Sequence, residues 1–295
     1  MTSIDLPSGW TDNYAEVNGI RLHYVRAGDR ANPPLFLVHG WPGWWYEWHH
    51  NIGPLADHFD VVVPDMRGYA YSDKPDASPA EGYTPMHFAE DLRQLIGHLG
   101  CAKVNIATHD FGGVWVQRLA YESPDLIEKL ALFDPPYPGI GGRWFEGMQR
   151  FQVWYQFFHQ LQLAEDLVGS SRKATEVYLR HFLDHWSGRG GVWTDEEIEH
   201  YVEAYSQPGA IRGGFNCYRA VYSGAHPWEG DTVIRIPTLV LWGEKDSILP
   251  SAWADNIPDY FPNSTLKILP ELGHFMMRED PERINAELIE FFEPT

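Results

Sequence analysis

The sequence predicts an α/β fold: a mostly parallel sheet with helices on both faces and an inserted group of helices. Short, continuously apolar runs alternate with helical patterns in the first part of the chain and again near its end, which is typical of parallel strands joined by helices. Residues from about 137 to 230 interrupt this alternation. Hydrophobic residues make up 44% of the 295 residues, which is enough for a sizeable core.

Seven short segments have the pattern of strands, several of them as continuous apolar runs, and most end at a glycine or an acidic residue. They begin at Arg21, Pro34, Asp60, Lys103, Ile127, Pro237 and Ser264. Helical patterns lie near residues 86–98, 112–123, 251–261 and 281–292. Strands separated by helices predict a parallel sheet that is covered on both faces.

The interrupting stretch has no convincing strand but contains three helical patterns. They are WFEGMQRFQVWYQFFHQL, SRKATEVYLRHFLDHW and DEEIEHYVEAYSQ, and glycine-rich joints separate them. Thr194 and Glu197 have the spacing of a capping box at the start of the third pattern. We therefore predict one sheet domain from residues 1–136 and 231–295, with residues 137–230 forming a helical cap.

Composition excludes several classes of partner and site. The formal net charge is −19, with only 22 Lys and Arg residues, so a nucleic-acid partner is not expected. Cys101 and Cys217 are too few for a disulfide framework or a thiolate metal site. The amino terminus lacks the basic start and apolar run of a signal peptide, and no stretch is long enough to span a bilayer. We expect a cytoplasmic protein that does not enter a membrane.

One segment has the form of a nucleophile elbow. NIATHDFGGVWVQRLA reads as a strand, a sharp turn and a helix, and Asp110 occupies the position that Ser takes in G-x-S-x-G. Gly112 and Gly113 would allow the helix to pack closely against the turn. An Asp at the end of a strand otherwise serves as a helix cap, but the acid and His that follow later in the chain favour catalysis.

Four motifs in the same order resemble the α/β-hydrolase superfamily, and within it the epoxide hydrolases and the related dehalogenases. They are HGWPG (39–43), HDFGG (109–113), GEKDSILP (243–250) and LGHFMMREDPERINAELIEFF (272–292). The resemblance covers essentially the whole chain and implies the α/β-hydrolase fold. The His motif marks only the superfamily, whereas HGxP followed by an Asp elbow is more specific.

The resemblance implies a role for each residue of the catalytic group. Asp110 would attack a saturated carbon and form an alkyl ester, since a carboxylate is a poor nucleophile toward carboxylic esters. His274 would activate the water that hydrolyses this ester. Asp246 is the acid that we favour as its partner, and Asp134, after the preceding strand, is the alternative. The backbone N–H groups of Trp41 and Phe111 would form the oxyanion hole.

The leaving group separates epoxide from halide chemistry. An epoxide leaves as a basic alkoxide that needs an acid, and the resemblance maps two such tyrosines to Tyr155 and Tyr218. Haloalkane dehalogenases commonly place a Trp directly after the nucleophile, whereas Phe111 has no N–H in its side chain. Fluoroacetate dehalogenases place Arg residues beside the nucleophile, and here Phe111 and Val114 stand instead. We predict an epoxide hydrolase, with a dehalogenase as the alternative and a non-catalytic binding protein as the less favoured reading.

Aromatic residues around the expected site predict a small apolar or aromatic epoxide as substrate. We assign substrate binding to His39, Pro42, Trp44, Trp154 and Phe157. No cofactor or metal is implied, since the i, i+4 pair His181 and His185 has no third ligand pattern. A homodimer is compatible with the sequence.

Overall fold

The computed structural model describes residues 4–224 and 232–293, and its centre is one eight-stranded sheet. The order across the sheet is β1-β2-β4-β3-β5-β6-β7-β8, with β1 and β2 antiparallel to their neighbours and β3 to β8 parallel. In chain order the strands are Thr11–Val17, Ile20–Ala27, Pro34–Val38, Asp60–Pro64, Val104–His109, Ile127–Phe133, Thr238–Gly243 and Ser264–Leu269. The predicted mostly parallel α/β fold is confirmed.

The first strand, β1, was not predicted. Its burial is irregular, with only Ala15 and Val17 buried, because it is the edge strand and pairs only with β2. The turn that joins the two strands is Asn18-Gly19, and both residues have a positive φ, of 48° and 74°. Asn-Gly between two strands is a strong hairpin signal, so the sequence did contain the information that would have revealed β1.

Thirteen α-helices surround the sheet and extend beyond it in the part of the chain that the structure describes. They are α1 to α13: His49–Ala56, Pro79–Gly82, Pro85–His98, Phe111–Glu122, Gln149–Gln152, Trp154–Phe158, Gln162–Val168, Arg172–Trp186, Asp195–Tyr205, Ala210–Tyr222, Ile257–Tyr260, Met276–Glu279 and Pro281–Phe292. Among them, none is long and apolar enough to be a candidate membrane span.

Two predicted helices are shorter or more broken than expected. The stretch near 251–261 is a 3₁₀ turn, Ser251–Asn256, followed by the single turn α11. The aromatic pattern that starts at Trp144 is divided among the end of a 3₁₀ helix, α5 and α6, and Gly147 lies between the first two with a φ of 52°. A positive φ is incompatible with a continuous right-handed helix, which explains the break.

Residues Pro138–Tyr222 contain helices and no strand, and we refer to them as the helical segment. The predicted capping box is present at the start of α9: the Glu197 N–H donates to Thr194 Oγ1 over 3.2 Å, and the Thr194 N–H donates to Glu197 Oε2 over 2.8 Å. The predicted cap boundary at residues 230 and 231 lies outside the described residues, so the division into core and cap stays a prediction.

Because β3 to β8 run parallel, the loops after their carboxyl ends meet at one edge of the sheet. These loops contain Asp65, Asp110, Asp134, Asp246 and His274. The helical segment reaches this edge, since the ring of Tyr155 stacks on Trp41 with centroids 5.5 Å apart. The topology therefore places the predicted catalytic residues close together and beside the helical segment.

Candidate active site

Asp110 occupies the sharp turn between β5 and α4. Its backbone has φ 48° and ψ −122°, a conformation that is rare outside glycine and typical of a strained functional turn. The turn requires glycines around it, because a Cβ at Gly40 would lie 2.6 Å from the Asp110 Cβ and one at Gly112 would lie 2.6 Å from the His39 carbonyl oxygen. The elbow thus holds Asp110 at the beginning of a helix, with its side chain 8% exposed.

The carboxylate of Asp110 is held by backbone donors. The Trp41 N–H donates to Asp110 Oδ2 over 3.0 Å, and the neighbouring Phe111 N–H also acts to lower the pKa of the carboxyl group. Burial raises the pKa of Asp110 above its usual 3.8, while the nearby His274 and His109 and the two N–H groups act in the opposite direction. Its other oxygen is free to form a new bond.

His274 is fully buried, and its ring is oriented by a carboxylate. His274 Nδ1 lies 2.7 Å from Asp246 Oδ2, and Nε2 has no hydrogen-bond partner among the described residues. Burial lowers the pKa of His274, but Asp246, Asp110 and Glu47 together raise it more, so the pKa lies above the usual 6.5. A His with one nitrogen bound to a carboxylate and the other unoccupied has the geometry of a general base.

The two candidate acids have different environments. Asp246 Oδ1 accepts the N–H groups of Ile248 and Leu249 over 2.8 and 2.9 Å, which leaves Oδ2 for the histidine. Asp134 Oδ1 accepts the Gly243 N–H over 2.9 Å, whereas its buried Oδ2 has no partner among the described residues. Burial and the charge of Asp246 raise the pKa of Asp134 well above its usual 3.8. The geometry favours Asp246 as the partner of His274.

Tyr155 on α6 and Tyr218 on α10 lie side by side near Asp110. Their rings are 5.5 Å apart at 87°, and the ring of Tyr218 packs edge-on against Phe111 at 4.7 Å. Burial raises the pKa of both phenols well above 10.0, and the charge of Asp110 raises both further. Both hydroxyls therefore stay protonated at neutral pH and can act as acids.

A cavity of about 440 Å³ begins at Asp110 and extends between the sheet edge and the helical segment. Its wall is mainly apolar, and Asp110 is the one residue of the Asp, Glu, Lys, Arg and His types among the described residues that line it. The lining includes Phe111, Val114, Trp144, Phe145, Tyr155, Gln156, Trp186, Tyr222, Ile248 and Leu249. A cavity of this kind suits a small, uncharged, apolar ligand.

None of the five predicted substrate-binding residues lines this cavity. Three of them lie on the core side of the site and are buried. His39 Nε2 accepts the Met66 N–H over 3.0 Å, Trp44 packs among Trp45 and Tyr46, and Pro42 is buried in the loop after β3. These side chains build the loop that presents the Trp41 N–H, and they do not reach the ligand space.

The other two predicted binding residues lie on the outer side of α6. Trp154 is 42% exposed and stacks on Phe182, and Phe157 is 49% exposed beside Phe145 and Tyr222. The neighbours Tyr155 and Gln156 face the cavity instead. A short helix rotates its side chains by about 100° per residue, so the aromatic pattern could not show which residues face inward.

Sequence reasoning also missed a buried polar pair next to the site. His109, which precedes Asp110, has Nδ1 2.7 Å from Glu47 Oε1, and both side chains are buried. The ring of His109 lies 4.4 Å from that of His274. The sequence contained no periodic signal for Glu47, since its partner is 62 residues away.

Two groups of side chains have the spacing of metal ligands. His109, Asp134 and His274 have ligand atoms within 4.8 Å of one another, as have His49, His50 and Glu197. The first group includes the candidate base, and the oxygens of Glu197 in the second are already bound by Arg278. The expectation that the protein has no metal stays a prediction.

Known proteins similar to the chain show its family and fold. Residues 33–281 match the family model described as the alpha/beta hydrolase fold. A soluble epoxide hydrolase from Corynebacterium sp. is 33% identical over 96% of the chain and 98% of its own length. Epoxide hydrolase 4 from Mus musculus is 32% identical over 95% and 79%. The solved structure of an epoxide hydrolase from Bacillus megaterium, 26% identical, superposes with a TM-score of 0.83 and covers 95% of this chain and 99% of that one.

Proposed function

Since the chain belongs to the epoxide hydrolase branch of the α/β-hydrolase family, we propose that it hydrolyses epoxides to vicinal diols through a covalent ester on Asp110. The observation that carries the proposal is the arrangement of a backbone-bound carboxylate beside two buried phenols at the end of an apolar cavity. The carboxylate provides a nucleophile and the phenols provide acids for an alkoxide.

In the first step, one oxygen of Asp110 attacks a ring carbon of the epoxide, and the bond from that carbon to the ring oxygen breaks. The hydroxyl of Tyr155 or Tyr218 gives its proton to the ring oxygen. The Asp110 oxygen that accepts the Trp41 N–H becomes the carbonyl oxygen of the ester. This step needs no base, because a carboxylate is already a nucleophile.

In the second step, His274 takes a proton from water, and the hydroxide formed attacks the ester carbonyl. The charge that develops on the carbonyl oxygen is stabilised by the Trp41 and Phe111 N–H groups, each worth about a hundred- to thousand-fold in rate. The intermediate collapses by breaking the bond to the alkyl oxygen, and this oxygen takes the proton of the hydroxyl group that water added to the Asp110 carbon. The diol leaves, Asp110 is again a carboxylate, and His274 returns its proton to the tyrosinate. Asp246 keeps the ring of His274 in position throughout.

The cavity supports the proposed substrate class. No Lys or Arg is present among the described residues of the mainly apolar wall, which favours uncharged aliphatic or aromatic epoxides, and these residues offer no cationic partner for a carboxylate. Haloacetates would therefore bind poorly, which weighs against the haloacetate form of the dehalogenase alternative. The proposed cytoplasmic location and the homodimer have no structural observation behind them and stay predictions.

A substrate panel tests the function directly. The purified protein is incubated with styrene-type and aliphatic epoxides, haloalkanes and haloacetates, and diol and halide are measured. Diol formation from epoxides is the expected result. If halide were released from the haloalkanes or haloacetates while no epoxide was converted to diol, the dehalogenase alternative would be established. If compounds bound but none was turned over, a binding protein would be favoured.

Asp246→Asn and Asp134→Asn should differ strongly in their effect on ester hydrolysis. Asp246→Asn removes the carboxylate that holds His274, and a comparable change in a Ser-His-Asp triad costs about 10⁴-fold in kcat. The raised pKa of Asp134 favours its protonated form, and an Asn side chain resembles that uncharged form. We therefore expect Asp134→Asn to lose less than about tenfold in the rate of ester hydrolysis. Single-turnover decay of the alkyl-enzyme measures both. A larger loss in the Asp134 variant would reverse the assignment of the acid.

Formation of the ester should lower the pKa of His274. The negative charge of Asp110 is one of the influences that raise this pKa, and the ester removes that charge. His274 must be neutral to accept a proton, so hydrolysis should slow as the pH falls through its pKa. We expect the acid limb of ester hydrolysis to lie at a lower pH than the titration of His274 in the free enzyme, measured by NMR. Equal values would show that Asp110 does not influence the base.

A further inference from the structure

Gln156, the residue after Tyr155, connects two tyrosines across the wall of the cavity. Its amide Nε2 donates to the hydroxyl oxygen of Tyr155 over 3.3 Å, and the Tyr222 hydroxyl donates to Gln156 Oε1 over 3.0 Å. Tyr222 ends α10, whereas Gln156 and Tyr155 lie on α6, so the two hydrogen bonds join separate helices. All three side chains line the cavity beside Asp110.

The amide of Gln156 presents a different end to each tyrosine. Its oxygen faces Tyr222 and accepts the proton of that hydroxyl, and its NH₂ group faces Tyr155. The hydrogen bond to Tyr222 thus anchors one end of the amide while the other end donates to Tyr155. The Asp110 charge and burial both disfavour a phenolate at Tyr155, and the hydrogen bond from Gln156 opposes them.

A donor at the Tyr155 oxygen has two consequences for proton transfer. It occupies a lone pair of the phenol oxygen, so the single O–H proton points away from Gln156. Tyr155 lines the cavity, and its ring lies 5.5 Å from that of Tyr218. The hydrogen bond from Gln156 also becomes stronger when the Tyr155 oxygen becomes negative, because hydrogen bonds to charged acceptors are about twice as strong as neutral ones. An interaction that strengthens as charge develops lowers the barrier of that step.

We propose that Gln156 is a positioning residue that aims the Tyr155 hydroxyl at the leaving oxygen of the epoxide and stabilises the phenolate formed, with Tyr222 holding the Gln156 amide in place. The inference rests on the proposed function, since it assigns Tyr155 the role of acid. In the step concerned, the carbon–oxygen bond of the ring breaks as the Asp110 ester forms. The Tyr155 proton moves to the leaving oxygen, and the phenolate receives a proton again when His274 has taken one from water.

The test measures the ring-opening step separately from ester hydrolysis, by stopped-flow single turnover with styrene oxide. Gln156→Met keeps the length of the side chain but removes the donor, and we expect ring opening to slow about three- to tenfold with ester hydrolysis unchanged. Gln156→Glu should be slower still, because an ionised carboxylate would accept the Tyr155 proton and turn it away from the substrate. Tyr222→Phe should slow the same step about twofold.

A double-mutant cycle decides whether Gln156 acts through Tyr155. In a Tyr155→Phe background, Gln156→Met should have no further effect on ring opening. An equal loss in both backgrounds would mean that Gln156 only shapes the cavity, and an unchanged rate after Gln156→Met would also overturn the inference. Gln152→Met is the matched control, since Gln152 belongs to the neighbouring helix α5 and does not line the cavity.

The outcome for the wild-type protein separates this inference from the proposed function. If the wild type forms neither an alkyl-enzyme nor a diol from any epoxide in the substrate panel, the function itself is wrong. If the wild type produces diol while Gln156→Met behaves as the wild type does, only the role of Gln156 is wrong.

Discussion

Replacing Asp110 by Asn should reduce epoxide hydrolysis by at least about 10⁴-fold, since removal of a covalent nucleophile costs losses of this order. The amide keeps the size of the side chain and can still accept the Trp41 N–H, so the elbow should keep its conformation. A neutral amide cannot attack a ring carbon at a comparable rate. Diol formation measured by chromatography gives the loss, and thermal unfolding checks that the variant is folded.

A matched comparison makes this result specific to the nucleophile. Asp134→Asn changes a second buried carboxyl group at the same edge of the sheet, and we expect that variant to lose less than about tenfold in activity. If Asp110→Asn formed diol within about tenfold of the wild-type rate, the covalent mechanism would be excluded. Direct attack by activated water would then be the mechanism to examine.

The second large effect is expected from His274→Gln, which should form the ester on Asp110 and fail to hydrolyse it. Glutamine has no basic nitrogen, so water is not deprotonated, whereas ring opening does not require His274. Intact-protein mass spectrometry should show a gain equal to the mass of one epoxide, and peptide mapping should place it on Asp110. We expect turnover to fall by about 10⁴-fold or more.

The control for this trapped ester is the double variant Asp110→Asn/His274→Gln, which should show no gain in mass. An adduct on any other residue would contradict the assignment of Asp110 as the nucleophile. Rapid release of diol by His274→Gln would instead show that a different group activates water. His109 would be the next candidate, because its ring lies 4.4 Å from that of His274.

Much of the fold followed from local patterns. Sequence patterns predicted seven of the eight strands, and continuous apolar runs mark the central parallel ones, since a strand covered on both faces has no polar alternation. Edge strand β1 lacks such a run, and its polar residues concealed it despite the Asn18-Gly19 turn. Helix bounds within the helical segment were less predictable, because aromatic residues there both fill the core and line the cavity.

The sequence by itself predicted which side chains gather at one edge of the sheet. Parallel strands bring their carboxyl ends to the same edge, so the loops that contain Asp110 and His274 were expected to meet there. Tyr155 and Tyr218 were mapped by the resemblance to epoxide hydrolases. The structure places all four around one cavity or in contact with its walls, and their catalytic roles stay predictions.

Only the tertiary structure decided which residues line the cavity and which carboxylate meets the histidine. Asp134 and Asp246 both follow strands of the same sheet, and only the packing of their loops gives Asp246 the 2.7 Å contact with His274. Likewise, Gln156 faces the cavity while Trp154 faces outward, although they are two residues apart. Sequence determines which chemical groups are present, but their direction depends on contacts between residues far apart in the chain.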